Sequence, residues 1–552
     1  MIGAERDHSF LALVVVAEQF PELRYDPVMS ENVTDSVAEV LKGLPARICD
    51  VIAPWAERSP DHPALVETSG TWSYRQLADA VSETQGWLLD LGVRAGDRVM
   101  IVCENCRALV AILFALARLD AWAVLVNARL SARETDEIRD HCGARRVLYT
   151  TGVSVQARDH AKRHGAAIQE TSPVGPIAAG PLNEGCEPEP VDGDVGQRVA
   201  VLIYTSGTTG LPKGVMLMHR NLLFVASVSA KIRSLNPDDR VYGVLPMTHA
   251  VGLSVVLLGS LLSGATLYLA PRFDPAAALV TLEKERLTVV LGAPSMFSLL
   301  ADFAKFRGRT SLKFPSLRVI SSSGAPLQGA LKAQVESLFG MALYNGYGVT
   351  ECSPNIAQAI VGERRTDTSV GKILPGVEVR LVGPDQKAVA DGEVGELWVR
   401  GPNVMKGYYR APEETAAAIN PEGWLNTRDL AHMKNGYLFI VGRTKELIIR
   451  FGENVYPAEV EAVLNAHPAV VRSAVIGRTV EGSQGGEEIV AYVQLATSAT
   501  ASESDLAQYA AKHLAPYKRP SQILLVASMP LTPTGKVVKG ELAKLVPLAD
   551  AR

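Results

Sequence analysis

Tyr204-Thr205-Ser206-Gly207-Thr208-Thr209-Gly210-Leu211-Pro212-Lys213-Gly214 follows directly on Val199-Ala200-Val201-Leu202-Ile203. The five apolar residues, with Val and Ile among them, have the pattern of a buried strand. Glycines let the turn that follows bring backbone N–H groups close to a ligand, and a concave set of such groups holds an anion. Thr205, Ser206, Thr208 and Thr209 add hydroxyl donors, and Lys213 adds a positive charge. The natural guest is a polyphosphate. No Gly-Lys-Ser/Thr closes the stretch, so it is not a Walker loop. A plain Gly/Thr hairpin turn is the alternative, and only the rest of the chain separates the two.

Working outward, the chain has 552 residues, beyond the size at which single cores stop growing, so two or more domains are expected. Hydrophobic residues make up 47% and charged ones 21%, the mix of a soluble enzyme. The net charge of −4 gives no global field for nucleic acid or anionic membrane, so an anionic substrate must be met by local cations. Six scattered cysteines form no disulfide framework, which points to a reducing cytoplasm. Cys103-Glu104-Asn105-Cys106 has redox spacing, but two small buried residues are the simpler reading. The apolar run 10–17 is too short to span a membrane and lacks the basic start of a secretory signal, and Met29 is an alternative start.

From residue 46 the pattern is organised. A helix is expected over 48–56, a strand over 63–66, and a helix through residue 89 with Ser73 as its N-cap. A strand over 98–102, an apolar helix over 108–119 and a strand over 121–125 follow. Such alternation predicts layered α/β architecture with parallel pairings. Residues 173–197, rich in Pro, Gly and acidic side chains, read as a surface excursion. Residues 247–252, 318–326 and 342–351 each carry a strand into a small-residue turn, as a cleft at a sheet edge requires. Period-two alternation over 377–382 and 395–400 marks a half-exposed β region. Beyond Arg443 a small α+β unit is expected, with helices over 458–464 and 503–513 and strands over 472–476, 488–495 and 523–526.

These turns, in this order, resemble the adenylate-forming superfamily of acyl-CoA synthetases, nonribosomal adenylation domains and firefly luciferase, over residues 46–542. Tyr204 to Gly214 resembles its phosphate loop and Tyr347-Gly348-Val349-Thr350-Glu351 its Tyr-Gly-x-Thr-Glu motif. Thr427-Arg428-Asp429 stands where Thr-Gly-Asp is usual. Gly442-Arg443-x-Lys445-Glu446 resembles the hinge motif, and the segment 530–536 ends in Thr534-Gly535-Lys536. The resemblance implies an N-terminal extension over 1–45, an AMP-binding domain of layered α/β sheets with a β-rich subdomain over 46–442, and a small mobile α+β domain over 443–552.

It also implies the chemistry: a carboxylate attacks the α-phosphate of ATP, pyrophosphate leaves, and the acyl-adenylate passes its acyl group to a thiol. Such phosphoryl chemistry is largely positioning and charge neutralisation. Lys536 is the expected catalytic lysine, its ammonium stabilising charge between the carboxylate and the α-phosphate. Glu351 is expected to hold Mg²⁺, Asp429 the ribose hydroxyls, and Tyr347 the adenine beside Ser323-Gly324-Ala325-Pro326. Thr205, Ser206, Gly207, Thr208, Thr209, Gly210 and Lys213, with Asn345, Gly346, Gly348, Thr350 and Arg443, complete the expected ATP site, Lys213 steadying pyrophosphate. Lys445 occupies the hinge, and Gly452 lets pantetheine pass close to backbone. The context of Lys536 also resembles the site at which bacterial acyl-CoA synthetases are acetylated, so a lysine acetyltransferase is an expected partner.

Amino-acid-activating relatives carry an aspartate near the position of His249, so an α-amino acid is disfavoured here. Thr248-His249 stands where many relatives read Phe-His, leaving His249 as the candidate gate for carboxylate entry. Val251, Ser254, Val255, Gly346, Gly348, Pro354, Asn355 and Ile356 are the expected acid pocket. They are small and mostly apolar, with no Arg or Lys, which fits a monocarboxylic fatty or aryl acid. No carrier-protein phosphopantetheine site follows, so coenzyme A is the expected acceptor. A stand-alone ligase that loads a separate carrier protein is the second reading. A luciferase-like oxygenase and a silent nucleotide sensor are the others. The acid itself and the oligomeric state stay open.

Overall fold

Why the chain folds in layers is plainest at a helix buried on every side. Arg107–Arg118 has residues 108–117 all buried, and a helix apolar on every side needs cover on every side. It lies in one continuous core with Tyr74–Asp90 and His219–Ile232, between two large sheets. The computed structural model describes residues 37–205, 213–450, 453–479, 487–496, 499–532 and 535–545.

One sheet has nine strands, which begin in spatial order at residues 372, 355, 343, 319, 289, 240, 266, 63 and 70. The second has eight, beginning at 407, 213, 199, 122, 98, 146, 178 and 167. The centre of the first is parallel: Arg240–Gly243, Val289–Gly292, Val319–Ser322 and Leu343–Gly348 run side by side. In the second, Arg98–Cys103, Trp122–Asn127 and Val199–Thr205 do the same. Helix Tyr74–Asp90 opens on a capping box, with Ser73 and Gln76 satisfying each other's backbone N–H groups.

A four-stranded antiparallel sheet spans Glu378–Val382, Gly395–Arg400, Leu425–Lys434 and Tyr437–Arg443. Its last pairing sets Arg443 opposite Asp429. After one 3-10 turn, Thr444–Glu446, the chain enters a unit with its own core, built on Ile448, Val460, Val475, Ile489 and Leu506. The fold is therefore a large α/β N-terminal domain with a β subdomain and a small α+β C-terminal domain.

Three segments differ from expectation. Helix Val37–Lys42 places Val40 in the main core, which thus reaches back before residue 46. Residues 173–197 are no free excursion. Ala178–Ala179 is a strand between Arg146–Tyr149 and Ala167–Ile168, and the buried Arg98 guanidinium donates to the Glu187 carbonyl at 2.7 Å. Backbone carbonyls offered to arginines hold this stretch, so it needs no apolar period. The strand expected to run to residue 247 stops at Gly243. There Asn105 takes over the ladder's role, donating to the carbonyls of Gly243 and Leu245 and accepting from the Met247 N–H. Residues 1–36, with the apolar run and Met29, lie outside the described residues.

Candidate active site

The parallel strands Arg240–Gly243, Val289–Gly292, Val319–Ser322 and Leu343–Gly348 all end on one edge of the nine-stranded sheet, where ligand clefts of α/β sheets form. Ser323, Gly324, Ala325 and Pro326 follow the third of them, with Gly324 at φ +86°. Gly346, Tyr347 and Gly348 close the fourth, beside Asn345, whose amide donates to the carbonyls of Thr368 and Ser369. A Cβ on Gly348 would lie 1.9 Å from the Pro354 carbonyl oxygen, so only glycine permits this close return of the chain.

Tyr347 projects from this edge to Asp429, its hydroxyl donating to Oδ2 at 2.5 Å. Arg443 reaches Oδ1 at 2.8 Å across the last rung of the β subdomain. The side chain expected at adenine is thus tied to the carboxylate expected at ribose. Each carboxylate oxygen keeps a further lone pair for a ligand hydroxyl. Burial, and then the Asp429 charge, push the Tyr347 phenol well above its ordinary range, so it stays a donor. Burial lowers Arg443, but Asp429 outweighs it and holds the guanidinium firmly charged.

Lys536 comes to this cluster from the other domain. Its backbone is held in a tight turn, the Thr532 N–H donating to the Lys536 carbonyl at 2.8 Å. Gly535 sits at φ +83°, and a Cβ there would lie 2.3 Å from the Ser295 Oγ at the start of helix Pro294–Phe306. The turn therefore lies against the N-terminal domain. Burial and Arg443 lower the Lys536 ammonium, while Glu446 and Asp429 act the other way. Lys539 is anchored to Glu446 at 2.7 Å and Glu461 at 2.9 Å. Lys445, at the hinge turn, is exposed.

A second group forms where the two large sheets' edges meet. Thr205 and Lys213 face each other across a hairpin; Ser206, Gly207, Thr208, Thr209 and Gly210 lie outside the described residues, as does Gly452. Lys213 sets its ammonium 5.2 Å from the Tyr408 ring centroid. The Tyr408 hydroxyl donates to Glu351 Oε1 at 2.8 Å, just after Thr350 in a 3-10 turn. Among the described residues Glu351 Oε2 accepts no hydrogen bond, and no three His, Cys, Asp or Glu side chains gather as a metal cage. One carboxylate with a free oxygen suits Mg²⁺, which takes its remaining ligands from phosphate and water. Sequence reasoning passed over Tyr408 and Ser295. Tyr408 sits in a two-residue strand whose place is set by pairing with Lys213–Met218, a long-range fact with no local signature.

At the acid end the polar candidates are spent internally. Ser254 is fully buried and donates to the Leu222 carbonyl at 2.8 Å. Asn355 donates to Ser229 Oγ and Gln358 Oε1, and its carbonyl accepts from Asn403. Val255, Pro354 and Ile356 are buried, and Val251 is half-buried. Val251–Leu258 is a π-helix, entered by a turn in which a Cβ on Gly252 would lie 2.1 Å from the Pro246 carbonyl oxygen. Burial, then Arg129, push His249 down to about 4, so its imidazole is neutral at neutral pH. Arg129 itself lies 3.8 Å from the buried Glu104. Cys103 and Cys106 are buried and their thiols pushed up, Cys106 to about 12, which leaves no reactive pair.

Known proteins match this arrangement along most of the chain. The family model described as AMP-binding enzyme matches residues 52–409, and the AMP-binding enzyme C-terminal domain matches 459–536. A feruloyl-CoA synthase of an Amycolatopsis species is 36% identical over 495 residues, covering 89% of this chain and 97% of its own length. An indoleacetate–CoA ligase of Aromatoleum aromaticum is 33% identical over 507 residues, covering 90% and 98%. The o-succinylbenzoate CoA synthetase MenE of Bacillus subtilis, solved with its acyl-adenylate intermediate, superposes with a TM-score of 0.76 at 28% identity, covering 89% and 97%.

Proposed function

The chain belongs to the AMP-binding enzyme family, and from that premise we propose how its residues carry an acid–thiol ligase reaction. The enzyme activates a monocarboxylic acid with ATP, releases pyrophosphate, and transfers the acyl group from AMP to coenzyme A. The observation that supports the mechanism is the packing of the Lys536 turn against Ser295 of the large domain, which brings its ammonium under the charges of Arg443, Glu446 and Asp429.

In the first half-reaction Asp429, aligned by Tyr347 and Arg443, accepts the ribose hydroxyls and fixes the nucleotide in register. Lys536 stabilises the negative charge that builds as a carboxylate oxygen bonds to the α-phosphorus and pyrophosphate leaves. Lys213 steadies the leaving group from the hairpin edge, with Ser206, Gly207, Thr208, Thr209 and Gly210 as further donors. Glu351 would hold Mg²⁺, which would supply charge neutralisation at the phosphates. In the second half-reaction the thiol attacks the acyl carbonyl and AMP leaves. The small domain must swing about Lys445 to withdraw Lys536 first, and Gly452 lines the thiol's approach.

For the acid, an aryl rather than a fatty substrate is the better reading. It is supported by the feruloyl and indoleacetate relatives and by a pocket of small apolar residues entered past a neutral His249. Six free, buried cysteines suit a reducing compartment, the cytoplasm. Among the described residues no helix is long and apolar enough to cross a membrane. Acetylation of Lys536 would remove the charge adenylation needs. ATP–pyrophosphate exchange across a panel of aryl and aliphatic acids tests the reading, repeated with coenzyme A or with a carrier protein bearing phosphopantetheine. Exchange with aryl acids and thioester on coenzyme A are expected; thioester on the carrier alone would make it a loading ligase.

A further inference from the structure

The ribose-binding segment carries an arginine in a backbone conformation that suits glycine. Arg428 has φ +61°, the left-handed region, which strains a residue that carries a Cβ. Its backbone is held there from both sides. The Arg428 N–H donates to Asn426 Oδ1 at 2.8 Å, and its carbonyl accepts from Thr444 at 3.3 Å. Thr427 ties the same turn to the sheet, donating to the Leu397 carbonyl and accepting the Asp429 N–H. The turn thus sets Asp429 whatever side chain residue 428 bears. A glycine would do this with less strain, so the arginine needs another reason.

Its side chain supplies one. Arg428 Nη2 donates to the Ala417 carbonyl at 3.3 Å, at the end of helix Pro412–Ala418. Two residues earlier in that helix, Thr415 Oγ1 accepts the Tyr408 N–H at 2.9 Å. The guanidinium is therefore at the flank of Tyr408, whose hydroxyl bonds Glu351 and whose ring lies under Lys213. Its charge bears on the Tyr408 phenol against that of Glu351. The guanidinium is exposed and spends one of its five N–H donors on a long bond to a carbonyl. Among the described residues the others have no hydrogen-bond partner, and they keep the fork geometry that matches phosphate oxygens.

We propose that Arg428 is a phosphate-binding residue of this enzyme, pairing with Lys213 on either side of Tyr408 to hold the β- and γ-phosphates of ATP and the pyrophosphate they become. This rests on the ligase reading above. Asp429, one residue on, holds the ribose, so consecutive residues grip opposite ends of the nucleotide.

The test compares Arg428→Gly, Arg428→Ala and Arg428→Lys with the unsubstituted enzyme, measuring KM for ATP, inhibition by pyrophosphate, inhibition by AMP and the melting midpoint. Arg428→Gly and Arg428→Ala are expected to weaken ATP and pyrophosphate about tenfold each while leaving AMP inhibition unchanged, since AMP lacks those phosphates. Arg428→Lys should fall between. Arg428→Gly should also melt about 1 °C higher, as the left-handed strain is relieved, so that tighter folding accompanies weaker phosphate binding. Unchanged pyrophosphate inhibition in both variants would reduce Arg428 to a helix-end contact and overturn the assignment alone. No acid-dependent exchange in the unsubstituted enzyme would instead overturn the ligase reading beneath it.

Discussion

The two ends of the cleft are built on opposite principles. At the nucleotide end, a phenol and a guanidinium from separate elements bond one carboxylate, Tyr347 and Arg443 on Asp429, and the second domain brings the Lys536 ammonium within electrostatic reach. At the acid end the two polar pocket candidates bond within the protein, Ser254 to a helix carbonyl and Asn355 to Ser229 and Gln358, and His249 is held neutral. On the function proposed above, the nucleotide end would recognise by charge and hydrogen bonds with fixed partners, and the acid end by shape. A family can therefore keep one end and vary the other by repacking a few apolar residues.

The contrast can be broken first at Lys536. Lys536→Ala should lower ATP–pyrophosphate exchange by about 10²–10³-fold. It should leave thioester formation from preformed acyl-adenylate within about twofold, because the lysine acts in one half-reaction only. Rapid-quench measurement of both halves checks this, and equal loss in both would remove the distinction between the domain's two positions. The lowered Lys536 pKa adds a sign. The ammonium loses its proton below the ordinary lysine range, so exchange should fall on the alkaline side earlier than for a free lysine.

A smaller effect is expected one bond away. Tyr347→Phe removes a hydrogen bond to an ionised carboxylate, which amounts to about 1.5–3 kcal/mol, and should raise KM for ATP at least tenfold with the order of preference among acids unchanged. Steady-state kinetics with two acids of different shape checks it. A reordering of the acids would mean that Tyr347 serves the acid end.

How much of this the sequence disclosed follows the same line. Tyr74–Asp90 was legible because Ser73, Gln76 and a 3.6-residue apolar stripe are local signals, and Glu503–His513 likewise begins at a Ser502 cap. The residues expected at the nucleotide could be named because they sit in short stretches that resemble family motifs, and among them Tyr347, Asp429 and Arg443 do come together. Tyr408 and Ser295 were not, since each acquires its place from a partner far along the chain, Lys213 and Gly535. Residues 173–197 misled because their order comes from backbone carbonyls serving Arg98 and its neighbours, which leaves no apolar period. Ser254 and Asn355 were expected as pocket lining, and only traced bonds show that both side chains are occupied internally.

The smallest effect belongs at Ser254. Ser254→Ala loses one internal bond, about 1 kcal/mol of stability, and should leave kcat/KM for each acid within about twofold. A calorimetric scan beside an acid panel reads both. A selective loss of hydroxylated acids would place the Ser254 hydroxyl in recognition after all.

The contrast itself is tested most directly by acids matched in shape and different in charge. ATP–pyrophosphate exchange with para-nitrocinnamate and para-carboxycinnamate, at saturating ATP, compares a neutral and an anionic group of nearly equal size. An acid end that reads shape, with the Arg129 charge near His249 already set against Glu104, should accept the nitro acid and disfavour the dicarboxylate by about 100-fold or more in kcat/KM, the cost of burying an unpaired carboxylate. Equal rates, or preference for the dicarboxylate, would show a charge reader at the acid end and contradict the account.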